Sequence, residues 1–155
     1  MADVTLSYAE VTLAAHVGVM RRISAIKRGR KGNYDCVNER DGWTWDIRGA
    51  IAECAVAKHT GTYWFGKIDD LSHGDVGDLE VRSTVWPTGH LLIHPEDPDD
   101  KKFILVLENN LPVCTLAGWI YGHEGKDDTY WTTKKIQGKD RSAFFVPQKS
   151  LRPVT

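Results

Sequence analysis

Apolar residues recur at three- and four-residue steps through Tyr8, Val11, Ala15, Val19, Ile23 and Ile26, a spacing that predicts one helix of about six turns. Ser7, with Glu10 three residues later, supplies a capping box at its start, and Gly29, Gly32 and Asn33 end it. A second helix is expected from Asp46, as N-cap, to about His59, with Gly61 as its stop. Ile47, Ala50, Ile51, Cys54 and Ala55 mark its buried side. Beyond Tyr63 the pattern changes to strands: Tyr63–Phe65, Leu79–Trp86, His90–His94, Phe103–Leu107 and Val113–Tyr121, separated by Pro, Gly and Asp turns. A short helix or irregular turn then spans Gly122–Trp131, and a last strand, Ala143–Val146, precedes Pro147. Helices followed by an antiparallel-leaning meander imply an α+β (mixed α/β) chain. Its 155 residues suit one domain with a real core.

The net charge of −1 conceals a segregation along the chain. Residues 1–33 carry +4, 34–67 carry −1, 68–100 carry −8 and 101–155 carry +4. An acidic middle between basic ends suits a metal site with phosphate-binding edges, and part of the acidity belongs to a solvated loop, Glu96–Asp100. No apolar run approaches the ~20 residues that span a bilayer. Cys36, Cys54 and Cys114 are odd in number and far apart, which makes a disulfide scaffold or structural zinc an unexpected use and a reducing cytoplasm the simplest setting.

The most informative stretch is Asp75-Val-Gly-Asp78-Leu-Glu80-Val-Arg82. Strand alternation puts Asp78, Glu80 and Arg82 on one face and Leu79 and Val81 on the other. Gly77 permits a turn that folds Asp75 back towards Glu80. Acids held so close repel one another unless a hard cation such as Mg²⁺ or Mn²⁺ neutralises them. Upstream, Glu53 sits on a helix face otherwise made of small or apolar residues (Gly49, Ala50, Val56, Ala57), which lets the helix approach a sheet closely. Arg21, Arg22, Lys27, Arg28, Arg30 and Lys31 crowd the end of the first helix, where they either complement the helix dipole or contact phosphates. His90 and His94 would be ~13 Å apart on a strand, too far for one metal. The six Trp serve as core anchors, with Trp43, Trp45, Trp64 and Trp86 as possible stacking surfaces for unpaired bases.

A helix carrying Glu53, then Asp75, then Glu80-Val81-Arg82 resembles the PD-(D/E)XK nuclease superfamily, especially small phage-encoded or Holliday-junction-resolvase-like members. The resemblance covers residues 46–107; the Val146–Leu151 ending also looks like small phage members. It implies a restriction-endonuclease-like core with a central mixed sheet flanked by helices. Position by position, Asp75 matches the motif Asp, with Asp78 in reserve, Glu80 the second acid, and Glu53 the accessory carboxylate. Arg82 stands at the motif's Lys position.

What the resemblance implies is a DNA endonuclease in which Asp75, Glu80, the Val81 carbonyl and Glu53 hold Mg²⁺ or Mn²⁺. The metal would activate a water for in-line attack, and Arg82 would stabilise charge on the scissile phosphate. Arg82 cannot serve as a general base, because guanidinium stays protonated. Either Lys67 or His73 then takes that part, or the domain is a catalytically inactive relative that binds DNA or a protein partner. A small structural or host-interaction protein is the third alternative. A homodimer acting on duplex or branched DNA completes the implied picture.

Overall fold

A computed structural model describes residues 1–29, 39–69, 74–136 and 139–154. The elements in chain order are β1 (Ala2–Thr5), α1 (Tyr8–Lys27), α2 (Glu39–Thr60), β2 (Leu79–Thr84), β3 (Leu91–Ile93), β4 (Lys102–Asn110), β5 (Val113–Tyr121), α3 (Gly122–Gly125), β6 (Trp131–Ile136) and β7 (Lys139–Val146).

The predicted capping box is present: Glu10 donates its backbone N–H to Ser7 Oγ at 3.2 Å, and Glu10 Oε2 accepts from Ser7 N at 2.6 Å. The buried line of α1, however, is Ala14, Gly18 and Arg22 rather than the expected apolar stripe, whose ends Tyr8 and Ile26 are exposed. Close approach decides this. A Cβ on Gly18 would collide with the Ile47 backbone, so α1 and α2 cross backbone to backbone where α1 has its glycine.

Helix α2 begins well before Asp46, which is not its cap but pairs from within the helix with Arg22 at 2.6 Å. From Ala50 to Ala57 nearly every residue is buried, because α1 covers one side of α2 and a sheet covers the other. Small residues make that double burial possible.

Four strands form a mixed sheet in the order β1-β5-β4-β2, with β2 and β4 parallel and the other neighbours antiparallel. Three more form an antiparallel sheet, β3-β7-β6. Strand β4 is buried on both faces: Ile104 and Val106 pack towards α2, while Phe103, Leu105 and Leu107 pack towards the second sheet. The mixed sheet was expected, but among the described residues both long helices lie on one of its faces and the second sheet covers the other. Two strands had no sequence signal: β1, which pairs with β5, and β6. Tyr63–Phe65, predicted as a strand, lies outside both sheets. No described helix is long and apolar enough to cross a membrane.

Candidate active site

The Asp75 turn forms as its residue types require. Val76 and Leu79 exchange backbone hydrogen bonds of 3.2 and 3.0 Å around Gly77, whose φ is +58°. That left-handed conformation suits glycine. Gly74 is equally constrained, since a Cβ there would meet the Gly77 carbonyl oxygen at 2.7 Å. The turn folds Asp75 back so that its Oδ2 accepts the Val81 backbone N–H at 2.8 Å, beside Glu80. Asp78, the reserve candidate, projects fully into solvent, 3.8 Å from Lys101.

On β2, Leu79 and Val81 pack on the α2 side of the sheet, so Glu80 and Arg82 occupy the other face. The Arg82 guanidinium lies 5.1 Å from the Phe103 ring centroid and 3.9 Å from Glu80. Both oxygens of Asp97 accept from Arg82 Nη2 at 3.1 Å, and Asp97 itself is fixed by the His94 N–H at 2.9 Å. Burial pushes the Glu80 carboxyl above its ordinary range, and Asp75 adds to the shift; Arg82 opposes it.

Glu53 sits apart from this pair. Its two oxygens take Arg21 in a bidentate clamp of 2.6 and 2.8 Å, and Oε2 also accepts the Trp64 indole N–H at 3.0 Å. Arg21 Nε donates to the Lys67 carbonyl at 2.7 Å, and Lys67 Nζ donates to the Gly74 carbonyl at 3.2 Å. A chain of bonds therefore runs from Glu53 through Arg21 and Lys67 to the residue before Asp75. Burial raises the Glu53 carboxyl; Arg21 pulls it down, and Asp75 pushes it up again. Burial, the largest single influence, works against the Arg21 charge, but the Glu53 hydrogen bonds and charge, together with Asp75 and Asp46, outweigh it and hold the guanidinium protonated.

The six sequence candidates for phosphate contact are distributed differently from expectation. Arg21 and Arg22 turn inward onto Glu53 and Asp46, and Arg28 pairs with Asp69 at 3.0 Å. Lys27 is exposed, and Arg30 and Lys31 lie outside the described residues, as do His73 and Cys36. Among the described residues, no three His, Cys, Asp or Glu side chains form a group able to hold a metal ion. Asp75 and Glu80 are the two acids brought together, while Glu53 is engaged by Arg21. Cys54 and Cys114 are free thiols, and burial pushes Cys114 up to about 12, which leaves it inert as a nucleophile at neutral pH.

Sequence reasoning missed Asp97, which it placed in a solvated acidic loop, and it missed that Glu53 is the partner of the Trp64 indole. Neither carries a local signal. Asp97 reaches Arg82 because the segment after β3 returns to start β4 parallel to β2. No protein-family model, no curated protein and no solved structure matches the chain.

Proposed function

We propose that the chain is a divalent-metal-dependent nuclease acting on DNA, with its site built around Asp75, Glu80 and Arg82. The observation that carries this reading is the Asp75–Val81 hydrogen bond, which fixes one carboxylate next to a second, half-buried one. Mg²⁺ commonly takes only one or two carboxylates and fills its shell with water. The donor set fits such an ion: Asp75 keeps one oxygen free of the Val81 bond, Glu80 offers a carboxylate, and the Val81 carbonyl follows directly in sequence. When bound, the metal would supply a water acidic enough to attack a phosphodiester.

The chain's own side chains have distinct parts. Asp97 aims Arg82, whose fixed positive charge would face the charge developing on the scissile phosphate. Glu53 holds Arg21, and through Lys67 the pair steadies the turn that presents Asp75. In this reading Glu53 is a positioning residue rather than a metal ligand, a change from the sequence expectation. The test is cleavage of linear duplex, single-stranded and branched DNA with Mg²⁺ or Mn²⁺. Glu80→Gln should abolish it while leaving the melting temperature of the metal-free protein within a few degrees. A fully active Glu80→Gln protein refutes the assignment.

One observation favours a second reading, an inactive nuclease-like domain that binds DNA. The Lys position holds an arginine whose Nη2 is committed to Asp97, leaving no proton acceptor on β2 besides the acids. No cleavage of any substrate, with DNA binding retained, selects this reading.

A further inference from the structure

Lys102 opens β4 beside two rings of the neighbouring strand. Its register partner is Tyr121, and its Nζ lies 5.1 Å from the Trp119 ring centroid and 5.7 Å from that of Tyr121. Attraction to the two rings holds the ammonium at the rim of the sheet instead of letting it sweep through solvent. Arg152 approaches the same rings from the segment bridged to Trp119, but both of its terminal nitrogens are taken by Glu124. Lys102, by contrast, has no carboxylate within ion-pair distance among the described residues.

His123 continues the ring stack outward. Its imidazole lies 5.5 Å from the Tyr121 ring, centroid to centroid, at an interplanar angle of 24°. The Asp99 carbonyl accepts both the His123 backbone N–H and its Nδ1–H, each at 3.0 Å, which fixes the imidazole in the stacking orientation. His123 is itself exposed. A pre-oriented aromatic ring backed by Tyr121 therefore stands beside a held, unmatched ammonium. The same row runs on across the sheet: Lys102 pairs with Leu79, and Leu79 bridges Val76, next to Asp75. Two strand spacings, roughly 10 Å, separate Lys102 from the turn that presents Asp75.

We propose that His123 and Lys102 hold an unpaired DNA strand beside the Asp75 turn, His123 stacking on a base and Lys102 contacting a phosphate. A base inside a duplex already has neighbours on both faces, so an unpaired base is the one that can stack on a protein ring. Ring stacking combined with cation contacts is how proteins grip single strands without reading their sequence. The assignment rests on the reading of the chain as a protein that acts on DNA, and it deepens that reading by naming a substrate with a single-stranded stretch next to the scissile bond.

The test is fluorescence anisotropy with a fluorescein-labelled DNA single strand of about 12 nucleotides, in EDTA, so that no cleavage step enters. His123→Ala should weaken binding at least about fivefold without changing its salt dependence, whereas His123→Phe, which keeps a ring, should stay within about twofold of wild type. Lys102→Gln should weaken binding about threefold at low salt and lower the salt slope by ~0.7, the value for one phosphate contact on a single strand. Lys135→Gln, on β6, should bind as wild type does. A blunt duplex should bind more weakly and should not respond to His123→Ala. If Lys102→Gln fails to fold, the two His123 variants and Lys102→Arg, which should keep the salt slope, decide. Wild-type affinity in His123→Ala and Lys102→Gln overturns the proposal. So does an equal loss in His123→Phe, in Lys135→Gln or on the duplex, or tighter binding of an RNA strand of the same sequence. Glu80→Gln should bind the single strand normally. If DNA is cut but binding ignores His123, this proposal fails and the nuclease reading stands; if no DNA is ever cut yet binding depends on His123, the reverse holds.

Discussion

Removing Arg21 tests the interior of the site most sharply. Arg21 and Glu53 form a bidentate pair whose side chains are only 20% and 7% exposed. Arg21→Met keeps most of the side-chain volume but leaves Glu53 a buried carboxylate with, among the described residues, only Trp64 as donor. Breaking one side of a buried pair costs about 3–5 kcal/mol. At ~2–4 °C per kcal/mol for a domain of this size, the melting temperature at pH 7.5 should fall by roughly 6–20 °C. The deficit depends on pH with a definite sign. Without Arg21, the largest remaining influences on Glu53, burial and Asp75, both raise its proton affinity. The folded variant then binds a proton more readily than the unfolded chain does, so its stability relative to wild type recovers as pH falls. The assay is urea denaturation followed by tryptophan fluorescence at pH 8 and pH 5.5, with wild type, Arg21→Met and the double variant Arg21→Met/Glu53→Leu. An apolar pair of similar volume is often neutral, so the double variant should recover most of the loss. A single-variant cost below about 1 kcal/mol, the size of a surface pair, refutes the burial of this ion pair. A double variant no more stable than the single one refutes the account of the cost as an orphaned charge.

Gly77→Ala should destabilise by about 1–2 kcal/mol, read as a fall in denaturation midpoint, because φ of +58° disfavours a Cβ although the nearest atom, Thr62 Cγ2, is 3.6 Å away. Gly77→Asn should lose less. Gly18→Val should cost at least ~1–3 kcal/mol, since the clash is with the Ile47 backbone, and circular dichroism should show a lower melting temperature with the helical signal retained at low temperature. Glu10 and Glu124 are both held down to about 2, Glu10 chiefly by Lys58 and Glu124 chiefly by Arg152. The stability they contribute is complete above their ordinary value and is lost as pH falls from about 5 towards 2, so Lys58→Met should flatten the acid side of a melting-temperature profile.

How far the residues announced this arrangement varies by locality. The capping box and the Gly77 turn were legible because both are decided within a few residues, by side chains that bond their own backbone or by a conformation one residue type favours. The Asp75–Glu80 pairing follows from that turn and was legible with it. Glu53 was singled out as an acid on a face that could approach the sheet, and it is buried, but its partner was not foreseen, since nothing local links position 21 to position 53. The α1 stripe was misread because hydrophobicity, not size, was taken to define the packed face. Gly18 and Arg22 are buried there, one for close approach and the other to meet Asp46. Strand β6 was hidden because its Thr-Thr-Lys-Lys run carries no apolar alternation.

Strand β1 has a consequence for how the chain is made. Val4 pairs with Cys114, and Asp3 accepts a hydrogen bond from the Thr115 hydroxyl at 2.6 Å. This strand thus joins a neighbour that emerges more than a hundred residues later. At ~5–20 residues per second, the helices and the unpaired β1 wait several seconds for β5. During that interval the small-residue face of α2 has no sheet beneath it, and β1 offers a bare edge to other nascent chains. Such long-range closure slows folding, and aggregation during synthesis should respond more to the β1–β5 pairing than to any change in the acidic turn.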